Sequence, residues 1–275
     1  MAVGFFYFKI IEFRNLTMML INYKLDGSVA RITLNRPEKF NSFNREMALE
    51  FQSALKNAQK DDNVRAIYIT GEGKAFCAGQ DLSEAIDPSG PGIETIVAEH
   101  YNPIVILLRI IEKPIVCAVN GVAAGAGANI SFACDITFAG RSASFIQAFS
   151  KIGLIPDSGG TYTLPRLIGF QQATALMMLG EKVSAEDAVH LGMIYKMVED
   201  AELQTTAFQT AKTLSEMPTK SLGLTKRLLN KSFSNKFEDQ LFQEQMLQAE
   251  AGQTYDYNEG VKAFLEKRKP VFLGK

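Results

Sequence analysis

Short apolar runs alternate with amphipathic stretches along the first half of this chain, and amphipathic stretches alone fill the second. Ile21–Leu25 and Val29–Leu34 flank Asp26-Gly27, a tight-turn pair, and predict a β-hairpin. Met47, Phe51 and Leu55 recur at i+4 spacing and predict a helix from Asn44 to Lys60. Ala66–Thr70, Ile115–Val119 and Asp135–Ala139 read as strands, and Thr95–Ile111 as a helix. Ser83–Ile93 is polar, carries Pro88, Gly90, Pro91 and Gly92, and predicts a mobile connection. Beyond Gly153, helices are expected at Ser158–Ile168, Gln171–Leu179, Ala185–Leu191, Ala201–Glu216, Ser221–Phe233, Phe237–Gly252 and Tyr257–Lys267. A single short strand is expected around Met193–Met197. Strands alternating with helices, then helices alone, predict an α/β core with a helical C-terminal region.

Composition narrows the class. Of 275 residues, 47% are hydrophobic and 21% charged, as in ordinary globular domains. Net charge is −1, with 29 Lys+Arg against 30 Asp+Glu. That gives no electrostatic footprint for nucleic acid or an anionic membrane surface. No apolar run reaches ~18 residues, so no transmembrane helix is expected. Met1–Ile11 is apolar but lacks a basic n-region and a small-residue cleavage site. Residues 1–18 are expected to form an extension outside the core fold. Cys77, Cys117 and Cys134 stand singly, and His100 and His190 make no metal-ligand spacing. Buried reduced thiols in a cytoplasmic protein without a bound metal are expected.

The candidate chemistry lies in two glycine-rich stretches, each following an apolar β-like run. The first is Ala75-Phe76-Cys77-Ala78-Gly79-Gln80-Asp81-Leu82; the second is Asn120-Gly121-Val122-Ala123-Ala124-Gly125-Ala126-Gly127-Ala128-Asn129. Small residues let a backbone approach a ligand and turn its N–H groups towards it. Two such loops converging on one carbonyl oxygen would make an oxyanion hole. As plain strand-to-helix connections they would carry no function.

These loops, with Asn35-Arg36-Pro37-Glu38-Lys39-Phe40-Asn41, Ile152–Thr161 and the stretch from Glu259-Gly260 to Pro270, resemble the crotonase (enoyl-CoA hydratase/isomerase) superfamily from Leu20 to the C-terminus. The resemblance implies β-β-α turns wound as a superhelix through residues 19–200. It implies a helical region, 201–275, that serves oligomerisation and closes the CoA site. It also implies an acyl-CoA substrate, no separate cofactor, and homotrimers or pairs of trimers. The oxyanion donors map to the backbone N–H groups of Gln80 and Ala126. CoA is expected near Lys39, Ala78, Asp81 and Leu82, with Phe264 and Lys267 reaching the nucleotide from across a subunit interface. Lys267, Arg268 and Lys269 read equally well as a solvated helix end.

Hydratases of the family hold water between two glutamates. Their positions here are Asn129 and Phe149, both assigned to the acyl pocket. In their place a carboxylate appears at Asp157, where several family isomerases and a dehalogenase carry a working aspartate. The resemblance therefore implies an acyl-CoA isomerase with Asp157 as its proton carrier, and Ser142–Thr161 is most similar to the phenylacetate-pathway isomerases. Asp157 reads equally, on its residue type alone, as a helix N-cap or a turn residue. His100, Glu84 and Glu94 match no local motif and are expected at the surface or in the core. A 3-enoyl to 2-enoyl-CoA isomerase and a non-catalytic CoA- or RNA-binding protein are the alternatives.

Overall fold

The computed structural model describes residues 19–275; the expected N-terminal extension lies outside the described residues. The predicted hairpin forms, with β1 (Ile21–Asp26) antiparallel to β2 (Val29–Leu34) and Asp26 opposite Val29. Helix α1 (Arg45–Lys60) follows, burying Met47, Phe51 and Leu55 as their spacing requires. Asn44 caps it by accepting from Met47 N–H, a contact that contributes about 1 kcal/mol in comparable helices. Then come β3 (Ala66–Gly71), β4 (Ala75–Cys77) and the short helix α2 (Leu82–Ala85). The segment expected to be irregular is thus partly helical. Asp81 and Asp87 each accept from the backbone and hydroxyl two residues on, at Ser83 and Ser89.

The expected helix Thr95–Ile111 is three joined pieces: α3 (Gly92–Thr95), a π-helical turn (Ile96–Tyr101) and α4 (Asn102–Ile110). Pro103 explains the break. It lacks the N–H that would bond the Glu99 carbonyl, which instead accepts from Gln52 Nε2 at 2.7 Å.

The chain then repeats one unit. β5 (Ile115–Val119) and β6 (Val122–Ala124) lead to α5 (Ala126–Ala133), and β7 (Ile136–Gly140) and β8 (Ser144–Ile146) lead through a 3-10 turn to α6 (Gly160–Ile168) and α7 (Phe170–Leu179). Each unit gives one strand to each of two sheets. The larger has the order β1-β2-β3-β5-β7-β10, parallel beyond the hairpin, and the smaller β4-β6-β8-β9. Strand β9 (Lys182–Ser184), helix α8 (Ala185–His190) and β10 (Lys196–Val198) complete them. The last strand lies slightly after its expected place, because Met193 and Ile194 are buried in the core before it.

Alternate residues of β3 and β5 face two cores. Ile67, Ile69, Ile115, Cys117 and Val119 join the larger; Tyr68, Val116 and Ala118 join a smaller one under α9 (Asp200–Ser215). Burial on both faces is why these strands read as unbroken apolar runs. Helices α10 (Thr219–Ser232), α11 (Phe237–Ala251) and α12 (Tyr255–Leu265) close the chain. Its tail is held by Asp256, which accepts from Leu273 N–H at 2.6 Å and Gly274 N–H at 2.8 Å. Among the described residues no helix is long and apolar enough to cross a membrane.

Candidate active site

The two glycine loops emerge from neighbouring strands, β4 and β6, of the smaller sheet. They touch. A methyl on Gly127 would lie 2.4 Å from the Cys77 carbonyl oxygen and 2.8 Å from Cys77 Sγ, so only glycine fits there. A methyl on Gly79 would lie 3.6 Å from Ala126 N. Phe43 bonds the first loop on one side only, with its N–H on Gly79 O and its carbonyl accepting from Asp81 N–H. Gln80 N–H therefore points away from Phe43 and meets no acceptor among the described residues. Ala126 is the first residue of α5, so its N–H has no helical partner either. Two unpaired backbone donors on adjoining loops can hold one developing oxyanion.

Asp157 lies in the turn before α6. That helix starts at Gly160, two residues later than expected, and no side chain caps it. The N-cap reading of Asp157 thus does not hold; its carbonyl, not its carboxylate, accepts from Gly160 N–H at 2.8 Å. Ser158 Oγ donates to Asp157 Oδ1 at 2.8 Å, which leaves Oδ2 without a side-chain donor among the described residues. Burial raises the Asp157 pKa above the usual carboxylate value, with the Ser158 hydroxyl and its own backbone N–H pulling the other way. A carboxyl poised higher than usual is better matched to taking and returning a proton.

Tyr101 bonds the first loop. Its hydroxyl donates to Gln80 Oε1 at 2.9 Å, and Gln80 Nε2 donates to Glu84 Oε2 at 2.7 Å. Burial pushes the phenol pKa well up, and the Cys77, Asp157 and Glu84 charges add to it. Tyr101 is therefore a neutral donor held at the first loop, within reach of the Asp157 charge. Sequence reading missed it, because Gln80 and Tyr101 share no local motif. Glu84 is bound rather than free, its Oε1 accepting from Arg45 N–H at 2.9 Å. His100 is buried, with neither ring nitrogen bonded among the described residues, and burial lowers its pKa.

Asn129 and Phe149, the two positions expected in the acyl pocket, both carry neutral side chains. The Phe149 ring packs against Gly125, where a methyl would lie 3.6 Å from Cζ. Asn129 Nδ2 donates to the Asp157 carbonyl at 2.9 Å.

The positions expected around CoA separate into two groups. Ala78 N–H bonds Phe40 O at 3.0 Å, which brings the first loop beside the Pro37–Lys39 turn and exposed Lys39. Leu82 is exposed next to it. Asp81 is engaged elsewhere, in an ion pair with Arg36 at 2.7 Å; burial opposes its ionisation, but the Ser83 and Arg36 hydrogen bonds hold its pKa below the usual carboxylate value. Phe264, by contrast, lines a groove of about 1300 Å3 between α10, α11 and α12, with Leu228, Leu241 and Phe272. Lys267 lies two residues past the end of α12, and Arg268 is committed to Glu259 and Glu266. The groove is lined by none of the glycine-loop residues.

Known proteins carry the same architecture. The model of the family described as enoyl-CoA hydratase/isomerase matches residues 24–275. The chain is 48% identical over 261 residues to the 1,2-epoxyphenylacetyl-CoA isomerase of Escherichia coli K12, covering 94% of this chain and 100% of that one. It is 38% identical to the trans-2-decenoyl-[acyl-carrier-protein] isomerase of Streptococcus mutans, covering 93% and 98%. The crystal structure of an enoyl-CoA hydratase from Bacillus anthracis superposes with a TM-score of 0.87 at 31% identity, covering 93% and 100%. With the ββα spiral, the adjoining glycine loops and these matches across almost the whole chain, this protein belongs to the enoyl-CoA hydratase/isomerase family.

Proposed function

We propose that this chain is an acyl-CoA isomerase that works with one carboxylate. The observation that carries the reading is the nearness of Asp157, whose Oδ2 meets no side-chain donor among the described residues, to the Gln80 and Ala126 N–H groups on adjoining loops, which meet no acceptor among them. The thioester oxygen sits between those two donors. Asp157 Oδ2 takes a proton from the α-carbon, and the electron pair moves into an enolate whose oxygen the two N–H groups stabilise. In a 3-enoyl thioester the enolate extends over the former double bond. Asp157 then returns the proton to the γ-carbon, giving the 2-enoyl thioester with no atom gained or lost. Each preorganised oxyanion donor contributes ~2.7–4 kcal/mol in enzymes where one has been removed.

Phe149 and Asn129 favour isomerisation over hydration, because neither can serve as a base for water. The 48% identity to the Escherichia coli enzyme supports a ring-1,2-epoxide of phenylacetyl-CoA as substrate, with Phe149 beside the aromatic acyl group. The Streptococcus mutans relative supports a second reading, the shift of a straight-chain enoyl double bond. CoA lies along Lys39, Ala78 and Leu82, with Phe264 and Lys267 contributed by a neighbouring copy in a homotrimer or pair of trimers. Helix α11 buries no residue and exposes Phe237, Phe242 and Met246, as a helix covered by another copy would. Purified protein incubated with the ring epoxide and with a 3-enoyl-CoA, and separately with a trans-2-enoyl-CoA, followed by mass spectrometry, tests the function. A rearranged thioester of unchanged mass is expected. Addition of one water to a 2-enoyl-CoA, without isomerisation of either substrate, overturns it.

A further inference from the structure

Two buried side-chain amides meet behind Asp157. Asn129 on α5 is 1% exposed, and Gln147, just past β8, is 3% exposed. Hydrogen-bond chemistry fixes the orientation of both. The Asp157 main-chain carbonyl can only accept, so the Asn129 group 2.9 Å from it is the donating Nδ2. Asn129 Oδ1 is then an acceptor, and the Gln147 group 2.8 Å from it is the donating Nε2. Donation therefore runs from Gln147 to Asn129 to Asp157. It leaves Gln147 Oε1 buried with no partner among the described residues. An unpaired buried acceptor is destabilising, so an amide kept here for stability alone is a poor choice.

The turn they hold is strained. Ser158 lies at φ +51, a region that side-chain-bearing residues avoid. Both donors on the Asp157 carbonyl, Gly160 N–H and Asn129 Nδ2, oppose relaxation of that turn. Asn129 can approach only because residue 160 is glycine; a methyl there would lie 2.4 Å from Nδ2.

We propose that Asn129 and Gln147 are positioning residues that lock the Asp157 peptide, so that its carboxylate reaches both carbons of a proton shift. The inference rests on the reading of Asp157 as the proton carrier. By the resemblance, position 129 is where a hydratase carries a water-holding glutamate. A carboxylate there could not donate to the Asp157 carbonyl and would place a second negative charge beside it. The amide does neither. The other group that meets Asp157 is the Ser158 hydroxyl; the charges of Asp157 and Glu84 also act on the Tyr101 phenol, which bonds Gln80.

The test compares Asn129→Ala, Asn129→Asp and Gln147→Leu with wild type. It reads kcat, KM, Tm and the titration of the Asp157 carboxyl by 13C NMR, the signal assigned with Asp157→Asn. Asn129→Asp keeps size but loses the donor, and kcat falls about 30-fold or more with KM within about threefold. Gln147→Leu lowers kcat about fivefold to tenfold while Tm stays level, a split that a merely structural role would reverse. In Asn129→Ala the turn relaxes towards solvent and the Asp157 titration moves down towards the ordinary carboxylate value. Folded variants with wild-type kcat and an unmoved titration overturn the positioning role alone. If wild type isomerises no thioester but the titration still moves in Asn129→Ala, the functional reading fails and the lock on the Asp157 peptide stands.

Discussion

Adding one methyl at Gly127 separates the two loops on which the account depends. The new Cβ would sit 2.4 Å from the Cys77 carbonyl oxygen, 2.7 Å from Cys77 Cβ and 2.8 Å from Cys77 Sγ. Ordinary contact begins at 3.4 Å, so the loops must part by about 1 Å at that point. The nearest obstructing atom is a backbone carbonyl oxygen and the next, Cys77 Cβ, is fixed to the backbone, so no rotamer change relieves them. Oxyanion donors work within about 2.7–3.1 Å of the oxygen, and a 1 Å misplacement can lower a rate ~100-fold. That corresponds to about 2.7 kcal/mol of barrier. Overpacking of this kind also costs about 1–3 kcal/mol of stability. Gly127→Ala is therefore expected to fold with a lowered Tm and to lose about two orders of magnitude in kcat. Gly252→Ala is the control. Its Cβ would meet carbonyls at 3.4 and 3.6 Å at the end of α11, and activity should be unchanged. Steady-state isomerase assays, with circular dichroism to measure the folded fraction, check both. A Gly127→Ala enzyme with wild-type kcat and Tm would refute the convergence of the loops on one oxygen.

Further outcomes follow from single groups. Tyr101→Phe removes the donor to Gln80 Oε1, and a net hydrogen-bond value of about 0.5–1.5 kcal/mol predicts a twofold to tenfold loss of kcat. Because burial raises the Asp157 pKa, activity should fall on the acid side at a pH above the usual carboxylate value, and Ser158→Ala should move that limb higher still; a pH–rate profile checks both. The stability that goes with the raised pKa is fully present below the unfolded value of 3.8 and is lost as pH rises through the higher folded value, so Asp157→Asn should raise Tm at pH 7 while abolishing turnover. Glu259 is held down to about 2 by Arg268 and the Val271 N–H, so its contribution is present above 4.5 and lost as pH falls towards 2. Tm measured over that range should decline less steeply in Glu259→Gln.

The strands and helices with a readable period were legible in the sequence, and so were the glycine loops. β3 and β5 showed as apolar runs because both faces are buried, and α1 because Met47, Phe51 and Leu55 share a stripe. Strands β4, β6, β8 and β9 have three residues each, too few to show alternation, so the second sheet was not visible. The break at Pro103 was signalled by the proline itself. The links around the site were not legible, because they join residues far apart in the chain: Gln80 to Tyr101, and Gln147 to Asn129 to Asp157. Ser158 gave no signal either, since its positive φ follows from the fold around it.

A single carboxylate that lifts a proton from one carbon and sets it down on another leaves an isotopic record. The direct measurement supplies a 3-enoyl-CoA carrying deuterium on the α-carbon and locates the label in the 2-enoyl product by mass spectrometry and NMR. The account predicts deuterium on the γ-carbon in part of the product at early times, and no product from Asp157→Asn. Product formed by Asp157→Asn at the wild-type rate, or a hydrated product in place of the isomer, would contradict it.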